Sequence, residues 1–137
     1  MTSYISLPRY VQTIDQRYAL MGGRCRSCKR VAFPPKLMCP GCGGRDFDET
    51  RLSGRGRIYS YTIISRGGAP TEFDHQQRMT GEFAVALVEL EEGPKIMGQM
   101  TDCDPHRLAI GMAVRATIRK LYEQEGVIRY GYKFKPQ

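Results

Sequence analysis

The 137-residue sequence predicts a mainly β protein with a short helix at its N-terminus. Five segments in the last two thirds of the chain are rich in β-branched and aromatic residues, which favour strands. Glycine and proline separate several of these segments, and little room is left for a long helix. The composition, with 41% hydrophobic and 26% charged residues, is typical of a folded domain, so wholesale disorder is not expected.

The helix is predicted within about residues 3–17, and we assign residues 1–17 to it as a docking segment. Ser6 suits an N-cap position, and Pro8 suits the first turn that follows. The apolar residues recur at helical spacing and would form one stripe, made of Leu7, Tyr10, Val11, Ile14 and Tyr18. A helix this short is marginal alone, so the stripe either packs on its own domain or docks a partner protein.

Residues 18–50 contain four cysteines in two close pairs, Cys25-Arg26-Ser27-Cys28 and, ten residues later, Cys39-Pro40-Gly41-Cys42. Two residues between paired thiolates let both bind one metal ion from a tight turn. The segment lacks the apolar residues for a core, so a metal is expected to organise it. Four cysteines leave no open coordination position, which predicts one structural zinc ion held by Cys25, Cys28, Cys39 and Cys42. A rubredoxin-like iron or disulfide bonds are the alternatives.

Residues 51–137 are predicted to form one β domain. The predicted strands are residues 58–64, 83–90, 95–100, 112–122 and 128–134. The second of these is nearly apolar throughout, which is typical of a strand with neighbours on both sides, and Glu-Glu-Gly-Pro at 91–94 predicts a hairpin turn after it. Five strands in this length fit a small antiparallel barrel such as the five-stranded OB fold. The long polar connection at residues 66–82 is expected to be functional or mobile.

The basic charge of the sequence lies in its first part. Residues 1–57 hold 11 Lys and Arg against 4 Asp and Glu, whereas residues 58–137 hold 10 of each kind. Such a patch could meet an acidic protein surface, the phosphates of a nucleotide-bearing cofactor or a nucleic acid. A nucleic-acid-binding barrel would interleave basic and exposed aromatic residues. Because the barrel segment is neutral, nucleic acid is the weaker alternative.

The sequence contains no recognisable catalytic set. His75 and His106 fall in polar loop and turn segments, and neither lies beside a nucleophile in a known pattern. Cys103 lies between two aspartates, which would raise the pKa of its thiol and oppose activation. No apolar run approaches the roughly 20 residues that span a bilayer. Without a basic-then-apolar leader pattern, we expect a cytoplasmic protein whose thiols stay reduced.

Several motifs along the chain match one known family as a set, and they lie at residues 18–20, 25–28, 33–35, 39–43, 52–62, 88–94, 110–112 and 132–136. Taken together, they resemble the domain-of-unknown-function-35 family, whose members join a rubredoxin-like zinc ribbon to an OB-fold domain. The resemblance implies a non-catalytic accessory subunit of a hetero-oligomeric thiolase-superfamily complex, with the catalytic residues on the partner and acyl-CoA at or near the interface.

For such a subunit, residues around the first cysteine pair are candidate contacts for coenzyme A or for the partner. The basic candidates would neutralise phosphate, and the Phe-Pro-Pro run would offer a rigid apolar ledge or a buckle within the domain. These candidates are Arg24, Arg26, Lys29, Arg30, Phe33, Pro34 and Pro35. Two departures from the family pattern occur, at Lys29, where glycine is common, and at Glu82-Phe83, where Pro-Tyr is common.

Overall fold

The computed structural model describes residues 7–124 and 126–137 of the chain. It divides into two compact units, one ending at Leu52 and the other comprising Ser53–Gln137. Each unit contains its own β-sheet. The assignment of residues 1–17 to a separate docking segment stays a prediction.

The first unit consists of two short helices and a three-stranded antiparallel sheet with the order β2-β1-β3. Its elements are α1 (Leu7–Gln12), α2 (Ile14–Ala19), β1 (Met21–Cys25), β2 (Val31–Ala32) and β3 (Phe47–Arg51). The predicted single helix is thus divided at Thr13, and it continues to Ala19 rather than ending at residue 17. Leu20 ends it in the left-handed conformation with φ of 50°. The predicted N-cap, Ser6, lies outside the described residues.

The second unit is a five-stranded antiparallel sheet with the order β6-β5-β4-β7-β8. The elements are β4 (Arg55–Ile64), α3 (Asp74–Thr80), β5 (Phe83–Leu90), β6 (Lys95–Gln99), β7 (Ala113–Gln124) and β8 (Val127–Pro136), with short 3₁₀ turns at Thr71–Phe73 and Pro105–Arg107. The sheet nearly closes where Met100 and Phe134 form a parallel bridge. The N–H of Thr101 also donates to the carbonyl of Phe134 at 2.8 Å. A mainly β chain with a five-stranded OB-fold barrel was predicted, and this fold class is confirmed.

The barrel core is formed by side chains that alternate along the strands. Ile58, Val88, Val114 and Phe134 are at most 1% exposed, and each comes from a different strand. Full burial of such a side chain stabilises the fold by about 1.5–3 kcal/mol before the cost of ordering the chain is counted. The core also depends on Gly98, since a Cβ there would lie 2.8 Å from the Phe134 ring.

Three features of the second unit were not predicted from the sequence. The connection at residues 66–82 was predicted as a loop, but it contains α3. The buried side chain of Gln77 holds this helix by hydrogen bonds with the carbonyl of Ser65 at 2.9 Å and with the N–H of Gly67 at 3.1 Å. The pairing of β4 with β5 is irregular between Ile58 and Ser60. A second irregularity lies in β7, where the pairing with β8 shifts between residues 120 and 122.

Within the described residues, no helix has both the length and the apolar character that a membrane span requires.

Candidate metal centre

The first cysteine pair is held by a turn that follows directly on β1. Cys25 is the last residue of this strand and is buried, whereas Cys28 is exposed. The N–H of Lys29 donates to the carbonyl of Cys25 at 2.9 Å, and the N–H of Cys25 donates to the carbonyl of Arg30 at 2.9 Å. Lys29 adopts the left-handed conformation, with φ of 65°. The backbone thus turns tightly enough to place both sulfurs on one side.

The second cysteine pair repeats the same geometry. The N–H of Gly43 donates to the carbonyl of Cys39 at 2.9 Å, and the N–H of Cys39 donates to the carbonyl of Gly44 at 2.8 Å. Gly43 takes the place that Lys29 has in the first turn, with φ of 75°. Glycine reaches this conformation without the steric cost that a side chain adds. The structure therefore explains why a lysine in the first turn departs from the pattern expected of the family.

The two turns bring the four cysteine sulfurs together. The sulfurs of Cys25 and Cys42 lie 3.5 Å apart, as do those of Cys28 and Cys39, and all four lie within 4.8 Å of one another. Tetrahedral zinc with Zn–S bonds of about 2.3 Å places its sulfurs about 3.8 Å apart. A disulfide would need about 2.05 Å, and all four thiols are free. The geometry therefore matches a single tetrahedral metal ion.

The thiol chemistry of the cluster also fits a cation. A hydrogen bond from the N–H of Cys28 lowers the pKa of Cys25, and that from the N–H of Cys42 contributes most to lowering the pKa of Cys39 to about 6. At Cys42 the N–H of Gly44 favours the thiolate, but the hydrogen bonds with the Cys25 and Cys28 sulfurs outweigh it and raise the pKa to about 11. Without a metal the cluster thus resists holding four thiolates, and a divalent cation at its centre removes that resistance.

The basic candidates near the metal centre differ in their surroundings. Arg26 forms an ion pair with Asp48, with 2.8 Å between Nε and a carboxylate oxygen, so the carboxylate partly offsets the positive charge of this arginine. Arg24 and Lys29 are exposed, and so is Arg30, whose guanidinium carbon would lie 2.9 Å from a Cβ added at Gly41. Arg30 therefore reaches from the first turn to the second. Contact of these residues with coenzyme A or a partner stays a prediction.

The apolar candidates of the first unit are largely open to solvent. Phe33 is half-buried, and Pro34 and Pro35 are exposed, with a cis peptide bond between Phe33 and Pro34. In the predicted helical stripe, the exposed fractions are 62% for Val11, 37% for Ile14 and 38% for Tyr18. The side chains of Leu7 and Tyr10 lie outside the described residues.

Sequence reasoning overlooked two apolar residues of the first unit. Leu37 is 94% exposed and Met38 is 56% exposed, directly before the ligand Cys39. In the sequence, they are an adjacent pair of large apolar side chains in a segment that lacks enough apolar residues for a core. Isolated apolar residues are common on surfaces, but an adjacent pair beside a metal ligand can anchor a partner.

The barrel residues weighed as catalytic candidates are not arranged for catalysis by a thiol. Burial, and after it Asp102 and Asp104, raises the pKa of Cys103, as the sequence predicted. Nε2 of His106 lies 2.6 Å from a carboxylate oxygen of Glu82, which raises the pKa of the histidine. His75 is exposed.

Sequence reasoning also missed a cavity of about 680 Å³ in the second unit, lined in part by Lys133. Only 6% of this lysine is exposed. In the sequence, this lysine lies between Tyr132 and Phe134 in a strand rich in aromatic residues, and this position was the only sign that its side chain is buried.

Two family profiles match adjacent parts of the chain. One is described as the ChsH2 rubredoxin-like zinc ribbon domain and matches residues 14–48. The other is described as the ChsH2 C-terminal OB-fold domain and matches residues 49–119. The clustered cysteines at 25, 28, 39 and 42 lie within the first match. They therefore fit one structural zinc ion, which bears out the predicted cofactor.

Proteins similar to this chain include a "DUF35 domain-containing scaffold protein" of Methanocaldococcus jannaschii, which is 44% identical over 90% of this chain and 85% of that protein. "Benzoylsuccinyl-CoA thiolase subunit BbsA" of Thauera aromatica is 28% identical over 85% of this chain and 75% of that protein. A solved chain of the "Ltp2-ChsH2(DUF35) aldolase" superposes with a TM-score of 0.69 and 28% identity, covering 98% of both chains.

Proposed function

Because this chain belongs to the DUF35 family of proteins with a ChsH2-type zinc ribbon and OB-fold domain, we propose that it is a non-catalytic subunit of a heteromeric thiolase-type acyltransferase complex. The similarity of nearly the whole chain to a named scaffold protein carries the proposal. The names of the other two relatives, a thiolase subunit and an aldolase complex, support it. In this role the chain supports assembly with the catalytic subunit and the binding or channelling of acyl-CoA.

The metal centre supports a structural rather than a chemical role. Four thiolates complete a tetrahedron, so a zinc ion bound by them has no position for water or substrate. The ion would fix the two turns and, through them, the exposed residues that the turns carry. Cys25, Cys28, Cys39 and Cys42 would hold it, and the chemistry of the complex would belong to the partner.

Exposed apolar residues of the first unit are the proposed surface for the catalytic partner. Leu37 and Met38 are exposed directly before Cys39, and Val11 and Ile14 are exposed on the two helices. Large apolar side chains that insert into a pocket on a partner contribute disproportionately to binding. We assign Leu37 the main anchoring role because 94% of it is exposed, two residues before a ligand of the proposed metal.

The exposed cations of the first unit are the proposed contacts for the phosphates of coenzyme A. No ion pair is found for Arg24, Lys29 or Arg30 in the part of the chain that the structure describes. Arginine and lysine form charge-assisted hydrogen bonds with phosphate oxygens. Arg26 contributes less in this proposal, because Asp48 already neutralises it. Phe33, Pro34 and Pro35 would offer an apolar ledge to the partner or to the pantetheine arm.

The test is co-purification with a tagged thiolase-like protein from the same source, analysed by size-exclusion chromatography with light scattering. We expect a stable complex and a thiolase activity that depends on this chain. Leu37→Asp should weaken the complex at least tenfold, because a carboxylate would be desolvated in an apolar pocket. The matched control is Met97→Asp on β6, where a methionine is 66% exposed in the second unit. A monomer that leaves the solubility and activity of the thiolase unchanged would contradict the proposal.

A nucleic-acid-binding module is the alternative function. Residues 1–52 hold 9 Lys and Arg against 4 Asp and Glu, and Tyr59 and Tyr130 are 52% and 44% exposed on the barrel strands. Proteins that bind single strands combine basic groups with exposed aromatic rings. A gel shift with single-stranded DNA and RNA at low salt decides between the two functions, and the absence of a shift would reject this alternative.

A further inference from the structure

The cavity of about 680 Å³ in the second unit combines an apolar wall with a small number of charged groups. Its volume lies in the range of small-molecule binding sites, roughly 300–1,000 Å³. The apolar wall is formed by side chains from α3, β5, β7 and the end of β6. These residues are Met79, Phe83, Ala84, Met100, Leu121 and Tyr122.

Each carboxylate that lines the cavity already has a basic side chain beside it. Asp102 lies 2.8 Å from a guanidinium nitrogen of Arg119. Glu82 lies 2.6 Å from Nε2 of His106, and Glu123 lies 3.5 Å from Nζ of Lys120. The acidic groups of the wall are thus compensated by their own neighbours.

Lys133 is the lysine of the wall for which no hydrogen bond or ion pair is found among the described residues. It is 94% buried, since its exposed fraction is 6%, and it belongs to β8. Burial, and after it the nearby charge of Arg119, lowers the pKa of this lysine. The ammonium nitrogen keeps some solvent access, so the group opens into the cavity, where a bound anion can pair with it through a charge-assisted hydrogen bond.

We propose that this cavity binds a small carboxylate with an apolar chain, whose carboxylate pairs with Lys133 and whose chain lies against the apolar wall. The carboxylate supplies the negative charge that no described residue gives Lys133. The apolar chain distinguishes this ligand from inorganic anions, because Phe83 and Leu121 offer it no polar partner. The site lies wholly within the barrel unit, so it does not depend on a thiolase partner or on the metal centre.

Three probes with the same six-carbon chain and different head groups test the contribution of the ligand's negative charge separately from that of its apolar chain. Hexanoate, 1-hexanol and hexylammonium are titrated into the full-length zinc-loaded chain by calorimetry. In parallel, the side-chain carbons of Lys133 are followed by NMR of lysine-labelled protein. We expect hexanoate to bind at least tenfold more tightly than 1-hexanol and to shift the Lys133 resonances, while hexylammonium does not bind. Equal affinity for hexanoate and hexanol, or no binding of hexanoate, would overturn the proposal.

Two variants assign the effect to Lys133. Lys133→Met keeps the apolar stem and removes the charge, and it should lower hexanoate affinity at least tenfold with little change for hexanol. Lys95→Met is the matched control, because this lysine lies outside the cavity and pairs with Glu89 at 3.7 Å. Unchanged hexanoate binding in Lys133→Met would reject the site. If that variant does not fold, the three-probe comparison on the wild-type chain still decides the question.

Discussion

Among the described residues, the first unit buries three apolar side chains besides the ligands Cys25 and Cys39, namely Leu20, Ala32 and Leu52. The second unit buries large residues from several strands, with Phe134 at its centre. A sheet of three short strands with so small a core cannot offset the entropy of ordering its chain. One chain thus uses two sources of stability, metal coordination in the ribbon and apolar burial in the barrel.

Metal removal is expected to show the largest difference in stability between the two units. Chelation, or Cys39→Ser, is expected to unfold residues 21–51 while the barrel stays folded, because zinc binding contributes on the order of 10 kcal/mol to small sites of this kind. Backbone amide NMR with and without chelator measures this directly. Cys103→Ser is the control, since this thiol lies outside the cluster and should leave the zinc content at one per chain. If the ribbon resonances stay dispersed after metal removal, the ribbon remains folded, and the proposed dependence of its stability on metal would be wrong.

The converse change acts on the barrel core. Phe134→Ala should destabilise the barrel by about 3–5 kcal/mol, because it leaves a cavity among fully buried side chains. Urea unfolding measures the loss, and zinc content measured on the same samples should be unchanged. Tyr130→Ala provides the comparison on the same strand, where the ring is 44% exposed and the expected cost is below about 1 kcal/mol. Equal costs for the two variants would contradict this account of the core.

The two cysteine turns allow a finer test within the ribbon. Lys29→Gly should stabilise the zinc-bound ribbon by roughly 1 kcal/mol, because φ of 65° strains any residue with a Cβ. Gly43→Ala should cost a similar amount, since its φ is 75° and an added Cβ would meet no atom within 4 Å. Competition with a chelator measures both variants. The opposite order of stabilities would show that the backbone conformation of the two turns is not equivalent.

The smallest expected effect is a pH dependence confined to the barrel. Glu82 raises the pKa of His106, so their pairing stabilises the fold fully below the unfolded pKa of about 6.5 and is lost as pH rises through the folded pKa. Thermal unfolding from pH 5 to 8 should therefore lose more stability in the wild type than in Glu82→Gln. Parallel pH profiles would show that the pair does not contribute.

The elements that the sequence predicted correctly depend on local patterns. The strand at β5 followed from its nearly continuous apolar run, and the hairpin to β6 followed from the turn residues at 91–94. Helix α3 was missed because its seven residues are mostly polar and it is held by Gln77, whose partners cannot be read from periodicity. The exposure of Leu37 and Met38 was missed for a related reason, since the sequence pattern alone does not show whether other residues of the chain pack against them.

By itself, the sequence determined the metal centre, the order of the strands along the chain and the absence of enough apolar residues for a core in the ribbon. These features arise within a few residues of one another, where spacing and side-chain chemistry leave few alternatives. Only the tertiary structure decided how the barrel closes at Met100 and Phe134 and which lysine is buried beside a cavity. Both depend on strands that are distant in sequence, because the surroundings of Lys133 come from chain segments up to 58 residues before it, beginning at His75.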